Sequence, residues 1–173
     1  MSARRTIAVL VNDQPGVLQR VAGLFGRRGF NIDSITVGSS EEPGLSRMII
    51  VTTCDDRKLD QILKQLDKLI DVIQVEWLDA RPMVARELAL IKVAAEPSKR
   101  PEIIGLVETF RASIVDVSPT SLIVQVVGDS DKIEAMVELL KPYGILQLTR
   151  TGVTAMVRGV DAGGNGSAAG RQS

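Results

Sequence analysis

A short loop near the N-terminus combines residue types that can hold a small charged ligand. Residues 12–16 read Asn-Asp-Gln-Pro-Gly and join an apolar run to an amphipathic segment. Backbone N–H groups at the start of a helix attract a carboxylate or a phosphate, and Gly16 leaves the backbone open to close approach. The polar side chains of Asp13 and Asn31 flank the loop in the sequence, and their oxygens can accept hydrogen bonds from an ammonium group.

An α-amino acid requires a site that binds its carboxylate next to a site that binds its ammonium group. The loop is therefore a candidate amino-acid site. The apolar side chains that would line its pocket are Val17, Leu18 and Ile32. A Pro-Gly turn before a helix is by itself more often only a capped turn, and neither GxGxxG nor GxxxxGK[ST] indicates a phosphate site. The corresponding turn of the second half, residues 94–103, lacks a Pro-Gly pair, so the ligand is expected in the first half.

Composition excludes several kinds of catalysis. Histidine is absent, which rules out a Ser-His-Asp triad, histidine acid/base catalysis and the commonest zinc sites. The single cysteine, Cys54, has no histidine to activate it and is expected to be a buried, inert thiol. Glu41 and Glu42 are interpreted as solvated loop charges, whereas Arg47 stands among apolar strand residues and is a candidate for an ion pair across a subunit interface. No catalytic residue, metal site or cofactor is therefore expected in this chain.

Charge and hydropathy narrow the choice of partners. The 21 basic and 21 acidic residues cancel, and aromatic residues make up only 3% of the chain, which argues against a nucleic-acid partner. No apolar run reaches the roughly 20 residues of a membrane helix, and the run after the N-terminal arginines is shorter than a signal-peptide core. Together with a single cysteine, these features predict a cytoplasmic protein.

The first half has the pattern of a βαββαβ unit. Strands are predicted over residues 6–11, 30–38, 45–53 and 71–79. A helix after Pro15-Gly16 has a predicted apolar face of Leu18, Val21, Ala22 and Phe25. The apolar face of a second helix consists of Leu59, Ile62, Leu63, Leu66, Leu69 and Ile70.

The second half repeats this order. Strands are predicted over residues 86–96, on both sides of a turn at residues 118–121, and over 144–159. The first helix has an apolar face of Ile103, Val107 and Phe110, with Ser98 as its candidate N-cap and Pro101 in its first turn. The apolar face of the last helix consists of Ile133, Met136, Val137 and Leu140.

The two halves together predict an α+β protein with two ferredoxin-like βαββαβ domains, each with both helices on one face of a four-stranded antiparallel sheet. The expected domains are residues 4–79 and 86–159, with a linker at 80–85 and a disordered Gly/Ser/Ala-rich tail at 160–173. Because both faces of the first strand are apolar and each domain is small, we expect the chain to form a homodimer.

Several blocks of the sequence resemble the small regulatory subunit of acetolactate synthase (acetohydroxyacid synthase). The blocks are "NDQPGVLQRVAGLFGRRGFNIDSITVG", "EEPGLSRMIIV", "RELALIKV", "FRASIVDVSPTSLIVQVVG" and "DKIEAMVELLKPYGILQLTRTGV". They agree with that family in order and spacing across most of the chain, residues 4–159. The turn "PGVL" alone would indicate only the wider class of amino-acid-sensing ACT domains.

The resemblance implies that the N-terminal domain is an ACT domain that dimerises and binds an end product, usually valine, at the dimer interface. The motif assigns one side of this site to Asp13, Gly16, Val17 and Leu18 of one subunit and the other side to Asn31 and Ile32 of the second. Family members often carry Asn at the position of Asp13. An ionised aspartate there favours the ammonium group of the ligand and repels its carboxylate.

The resemblance also implies a protein partner. The catalytic chemistry would belong to a large subunit with thiamine diphosphate, a divalent metal and FAD, which joins two pyruvates, or pyruvate and 2-oxobutyrate. This chain would activate that subunit and confer feedback inhibition in valine, isoleucine and leucine biosynthesis. The alternative is a stand-alone ACT-type amino-acid sensor or a regulator of another enzyme.

Overall fold

The computed structural model describes residues 1–160, and its first half is one antiparallel sheet with two helices. The elements are β1 (Ala3–Asn12), α1 (Val17–Arg27), β2 (Ser34–Ser39), β3 (Leu45–Cys54), α2 (Asp56–Asp67) and β4 (Val72–Trp77). The strand order is β2-β3-β1-β4. This is the predicted βαββαβ unit, and β2 is an edge strand because β3 alone pairs with it among residues 1–160.

The second half has the same architecture with one added strand. Its elements are β5 (Met83–Ala94), α3 (Arg100–Thr109), β6 (Ser113–Val117), β7 (Ser121–Gly128), α4 (Ser130–Leu140), β8 (Ile145–Arg150) and β9 (Thr154–Val157). The sheet order is β6-β7-β5-β8, and β9 pairs with the first residues of β5. The predicted fold class, two ferredoxin-like units, is confirmed.

Two strand boundaries in the second half differ from the prediction. Residues 144–159 were expected to form one strand, but they form β8 and β9, with Gly152 between them at a φ of 82°. Residues 83–85, which the sequence assigned to the linker, belong to β5 because they pair with β9. Both differences arise from pairing between segments about 70 residues apart, which local periodicity does not report.

Helices α1 and α2 cover one face of the N-terminal sheet. The buried helix residues are Val17, Val21, Leu24, Phe25, Leu59, Ile62 and Leu66. The predicted face of α1 was wrong at Leu18, which is 47% exposed, and at Ala22, which is also exposed. Apolar residues occupy two adjoining faces of α1, so spacing alone does not decide which face meets the sheet. Ile70 lies beyond the end of α2 and is almost fully exposed, so its assignment to that helix face was also wrong.

The C-terminal sheet is covered on one face by α3 and α4. All four residues predicted for the last helix are buried in α4, and Ile103 and Val107 are buried in α3. Ser98 is not the N-cap of α3, because Lys99 holds that position and no side chain caps the helix. The turn is closed instead by the carbonyl of Glu96, which accepts hydrogen bonds from the amides of Lys99 and Arg100.

A third apolar cluster joins the two domains. It contains Ala8, Ile49 and Val51 from the open face of the N-terminal sheet together with Leu78, Val153 and Ala155. Met83, Ala85 and Val157 pack against it, so β9 and the start of β5 cover that face. The sequence interpretation assigned the second apolar face of the first strand to a second copy of the chain. In the structure, residues of the same chain cover it.

Residues 161–173 lie outside the described residues, and the predicted disordered tail at 160–173 falls almost wholly there. Within residues 1–160, no helix is long and apolar enough to cross a membrane.

Candidate functional site

The Pro-Gly loop starts where β1 ends. The amide of Asp13 donates a hydrogen bond to the carbonyl of Gly44 at 2.9 Å, which holds the loop against the end of β3. Gly16 is the N-cap of α1, with a φ of 86° that favours glycine. No side chain caps this helix and its first turn has no acidic residue. The amide of Val17 already donates to the carbonyl of Gln14 at 3.3 Å, so an anion would bind at the next amides, those of Leu18 and Gln19.

Arg20 adds a cation to this loop, and the sequence interpretation missed it. A methyl group added to Gly16 would stand 2.9 Å from Arg20 Nη1, so the guanidinium lies directly over the glycine. Arg20 Nε donates a hydrogen bond to Asp71 Oδ2 at 2.7 Å, which fixes the side chain in this position. The signal in the sequence was the spacing, because residues 16 and 20 are one helical turn apart.

Two apolar residues assigned to the loop have different environments. Val17 is only 3% exposed and packs in the core of the N-terminal domain. The side chain of Val17 therefore packs under the loop, on the core side, and does not line the surface where a ligand would bind. Leu18 is 47% exposed, so it is the apolar side chain of this loop that a ligand or a second chain can contact.

Asn31 and Ile32 lie just before β2. Asn31 is exposed, its Nδ2 donates to Asp33 Oδ1 at 2.8 Å, and its carbonyl accepts a hydrogen bond from Thr52 Oγ1 at 2.5 Å. Ile32 is half-buried against the N-terminal core. The segment before β2 is thus held by β3, with the amide group of Asn31 at the surface.

Within one chain the two parts of the predicted site are far apart. Thr52, which bonds Asn31, pairs with Arg5, whereas the Pro-Gly loop follows Asn12 at the other end of the same strand. The seven residue-to-residue steps from Arg5 to Asn12 span about 23 Å in an extended strand. A ligand of amino-acid size does not bridge this distance, so a single chain does not bring the two parts together.

Arg47, which lies opposite Gly38 of β2, forms an ion pair within the chain. Both Nη atoms of Arg47 donate to the carboxylate of Glu41, at 2.7 and 3.0 Å. These hydrogen bonds lower the pKa of Glu41 to about 2, so its carboxylate is ionised near neutral pH. Within residues 1–160 Arg47 therefore pairs with Glu41 of its own chain, and an ion pair of Arg47 across a subunit interface stays a prediction.

The remaining candidates are Cys54, as a reactive thiol, and acidic side chains, as metal ligands. Cys54 is 3% exposed, and burial raises the pKa of its thiol, as expected for an unreactive cysteine. Among residues 1–160, no three His, Cys, Asp or Glu side chains are placed to hold a metal ion.

Comparison with known sequences identifies the protein family of this chain. The model described as "AHAS small subunit-like ACT domain" matches residues 7–74, and the model described as "Small subunit of acetolactate synthase" matches residues 86–159. This chain belongs to the acetolactate synthase small-subunit family. The resemblance seen in the sequence is thus confirmed in both domains.

Relatives of the acetolactate synthase small-subunit family match nearly end to end. A "Probable acetolactate synthase small subunit" from Methanothermobacter thermautotrophicus is 59% identical over 88% of this chain and 92% of its own length. The "Acetolactate synthase small subunit" of Bacillus subtilis is 52% identical over 90% of this chain and 91% of its own length. The crystal structure of the acetolactate synthase small subunit from Thermotoga maritima is 45% identical, with a TM-score of 0.85 over 91% of this chain and 99% of that chain.

Proposed function

We propose that this small subunit activates the large catalytic subunit of acetolactate synthase and confers feedback inhibition by valine. The chain catalyses no reaction by itself. Its sequence has no histidine, and its cysteine is buried with a raised pKa. The main support for the proposal is the Pro-Gly loop, where the guanidinium of Arg20 lies beside Gly16 at the uncapped start of α1.

A homodimer completes the site in this proposal. In the part of the chain that the structure describes, one edge of β2 is paired, so a second β2 can add to the other edge in the antiparallel direction. Two-fold pairing of this kind sets the start of one β2 beside the end of the other. The end of β2 pairs with Ser46, close to the Pro-Gly loop, since Asp13 bonds Gly44. Asn31 of one chain then reaches the loop of the other.

The chemistry of the completed site suits an α-amino acid. The amides of α1 and the guanidinium of Arg20 bind the carboxylate. The oxygens of Asp13 and of Asn31 from the second chain accept hydrogen bonds from the ammonium group. Leu18 and Ile32 of opposite chains enclose a small aliphatic side chain such as that of valine.

The large subunit supplies the cofactors in this proposal, namely thiamine diphosphate, a divalent metal and FAD. The small subunit then acts on the equilibrium between active and inactive arrangements of the complex. Valine inhibits because it binds these arrangements with different affinities. Both subunits work in the cytoplasm, in the pathway to the branched-chain amino acids.

The test is reconstitution with a large subunit from the same source. We expect no acetolactate from this chain alone, a higher rate from the mixture than from the large subunit alone, and a rate that falls with added valine. Acetolactate formation without the large subunit would contradict the proposal. A chain that binds valine by calorimetry but neither stimulates nor inhibits the large subunit would instead be a stand-alone amino-acid sensor.

A further inference from the structure

A contact between the two domains lies on β2, next to the segment that carries Asn31. Thr36 Oγ1 donates a hydrogen bond to the carbonyl of Val153 at 3.1 Å. Gly152 lies so close to β2 that a methyl group added to it would stand 3.2 Å from Ser34 Cβ and 3.3 Å from Thr36 Cγ2. Glycine is required here both by this close approach and by its φ of 82°.

The N-terminal side of the contact is fastened to Asn31 by a short network. The carboxylate of Asp33 accepts hydrogen bonds from Asn31 Nδ2 at 2.8 Å and from Thr53 Oγ1 at 2.7 Å. The amide of Asp33 donates to the carbonyl of Val51 at 2.8 Å. Ser34, the residue that touches Gly152, follows Asp33 directly, so this network and the chain itself connect Asn31 to the contact.

The C-terminal side of the contact is fastened to its own sheet and helix. The amide of Thr151 donates to the carbonyl of Leu88, and the amide of Leu88 donates to Thr151 Oγ1. Arg150 bonds both carboxylate oxygens of Glu87, at 2.6 and 3.0 Å, and a carboxylate oxygen of Glu134 on α4 at 2.7 Å. Glu87 is 5% exposed, so this pair is firmly held. A displacement of residues 152–153 is therefore passed to the C-terminal domain.

The contact has an open polar cleft on one side and an apolar cluster on the other. A cleft of about 640 Å³ lies between the domains, lined by polar residues of both, among them Arg4, Asp33 and Glu134. Val153 itself packs with Ala8, Ile49 and Val51 in the apolar cluster between the domains, so a shift at the contact is passed on through close-packed side chains. Ser34 Oγ on this wall is buried and has no hydrogen-bond partner within residues 1–160.

We infer that the contacts of Ser34 and Thr36 with Gly152 and Val153 couple the effector site to the C-terminal domain. The inference rests on the proposed function, because it requires a ligand at Asn31. When the ligand binds, the start of β2 moves with Asn31, and residues 152–153 follow. The C-terminal domain then takes a different position against the N-terminal sheet, and the large subunit meets a changed surface.

The test separates ligand binding from inhibition. Thr36→Val removes the hydroxyl that bonds Val153 but keeps the branched shape of the side chain. Gly152→Ala adds the methyl group that would press on β2. The matched control is Thr154→Val, on an exposed position of β9. For each variant, calorimetry gives the valine Kd of the small subunit, and assays with the large subunit give stimulation and the residual activity at saturating valine.

For Thr36→Val we expect a valine Kd and a stimulation within about twofold of the wild type, since the hydroxyl faces the C-terminal domain. Its residual activity at saturating valine should rise at least about threefold, because allosteric coupling is typically worth about 5- to 150-fold. Gly152→Ala should change residual activity in the same direction if it folds, and Thr154→Val should match the wild type.

Two results would overturn the inference. The first is full inhibition of Thr36→Val at wild-type valine concentrations. The second is a loss of valine binding by Thr36→Val that accounts for its loss of inhibition, because the hydroxyl would then serve binding and not coupling. A wild-type chain that binds no valine would refute the proposed function itself, and the coupling with it.

Discussion

Gly16 precedes the first residue of helix α1 and Asn31 follows its last turn, so they lie beside opposite ends of β1, where Arg5 and Asn12 are about 23 Å apart. Gly16 and Asn31 can each bind one end of an amino-acid ligand. Within one chain, however, the two residues are too far apart to bind the same ligand. Within residues 1–160 one edge of β2 is unpaired, and in the proposed dimer a second chain pairs there and brings them together. The effector site in this account is therefore a property of the dimer.

Val37→Lys should weaken the dimer. Val37 lies near the middle of β2 and is 47% exposed, so two-fold pairing of β2 brings it close to its own copy. Two lysines at that position would repel each other, and charges on edge strands oppose pairing. Light scattering over a range of concentrations should show a shift from dimer to monomer. Val127→Lys, on a similarly exposed residue of β7, is the control and should leave the mass unchanged.

Arg20→Gln should weaken valine binding. A charge-assisted hydrogen bond contributes about 1.5–3 kcal/mol, so loss of the guanidinium should raise the valine Kd about 10- to 150-fold. Arg27→Gln removes an arginine from the last turn of the same helix and should leave the Kd near the wild-type value. Titration calorimetry with valine and with valinamide, which lacks the carboxylate, tests whether Arg20 binds that group. The wild type should prefer valine strongly, and Arg20→Gln should lose most of that preference. An unchanged preference would show that Arg20 does not bind the carboxylate.

Cys54 should react slowly while the protein is folded. Burial raises the pKa of its thiol, so the folded chain keeps the proton at a pH where the unfolded chain starts to lose it. This group therefore favours folding below its unfolded pKa, and its contribution is lost as the pH rises above that value. At pH 8, the reaction with a disulfide reagent should be at least about tenfold slower in buffer than in denaturant. Equal rates would show an accessible thiolate.

Much of the fold follows from the sequence because apolar periodicity and turn residues agree. In α4 the spacing of Ile133, Met136, Val137 and Leu140 admits one buried face, and the structure buries all four. In α1 the apolar residues span two adjoining faces, and contact with the sheet selects Val17 and Leu24 over Leu18 and Ala22. Local spacing contains no information about that choice.

The features that the sequence did not reveal depend on distant contacts. β9 exists as a separate strand because residues 83–86 pair with it, and its inner side covers the N-terminal sheet. Arg20 was missed because its role depends on Asp71, which fixes its guanidinium over Gly16 from 51 residues away. The polar loop itself was visible in the sequence because Pro and Gly mark the turn directly.

Two substitutions probe the two halves of the site separately. Gly16→Asp adds bulk and a negative charge where the carboxylate binds, at a φ that already disfavours a side chain, so it should abolish valine binding. Asn31→Ala removes a hydrogen-bond partner, which is worth about 1 to 3 kcal/mol or roughly 5- to 150-fold in affinity. Both variants should still stimulate the large subunit, since neither residue is expected to contact it.

Mixing the two variants tests the central claim most directly. In a heterodimer of Gly16→Asp with Asn31→Ala, one site takes Gly16 from one chain and Asn31 from the other, so it is intact, and the second site carries both substitutions. Titration calorimetry on the heterodimer, purified through two different tags, should therefore find one valine per dimer with the wild-type Kd. A heterodimer that binds valine no better than its two parent homodimers would contradict a site shared between subunits.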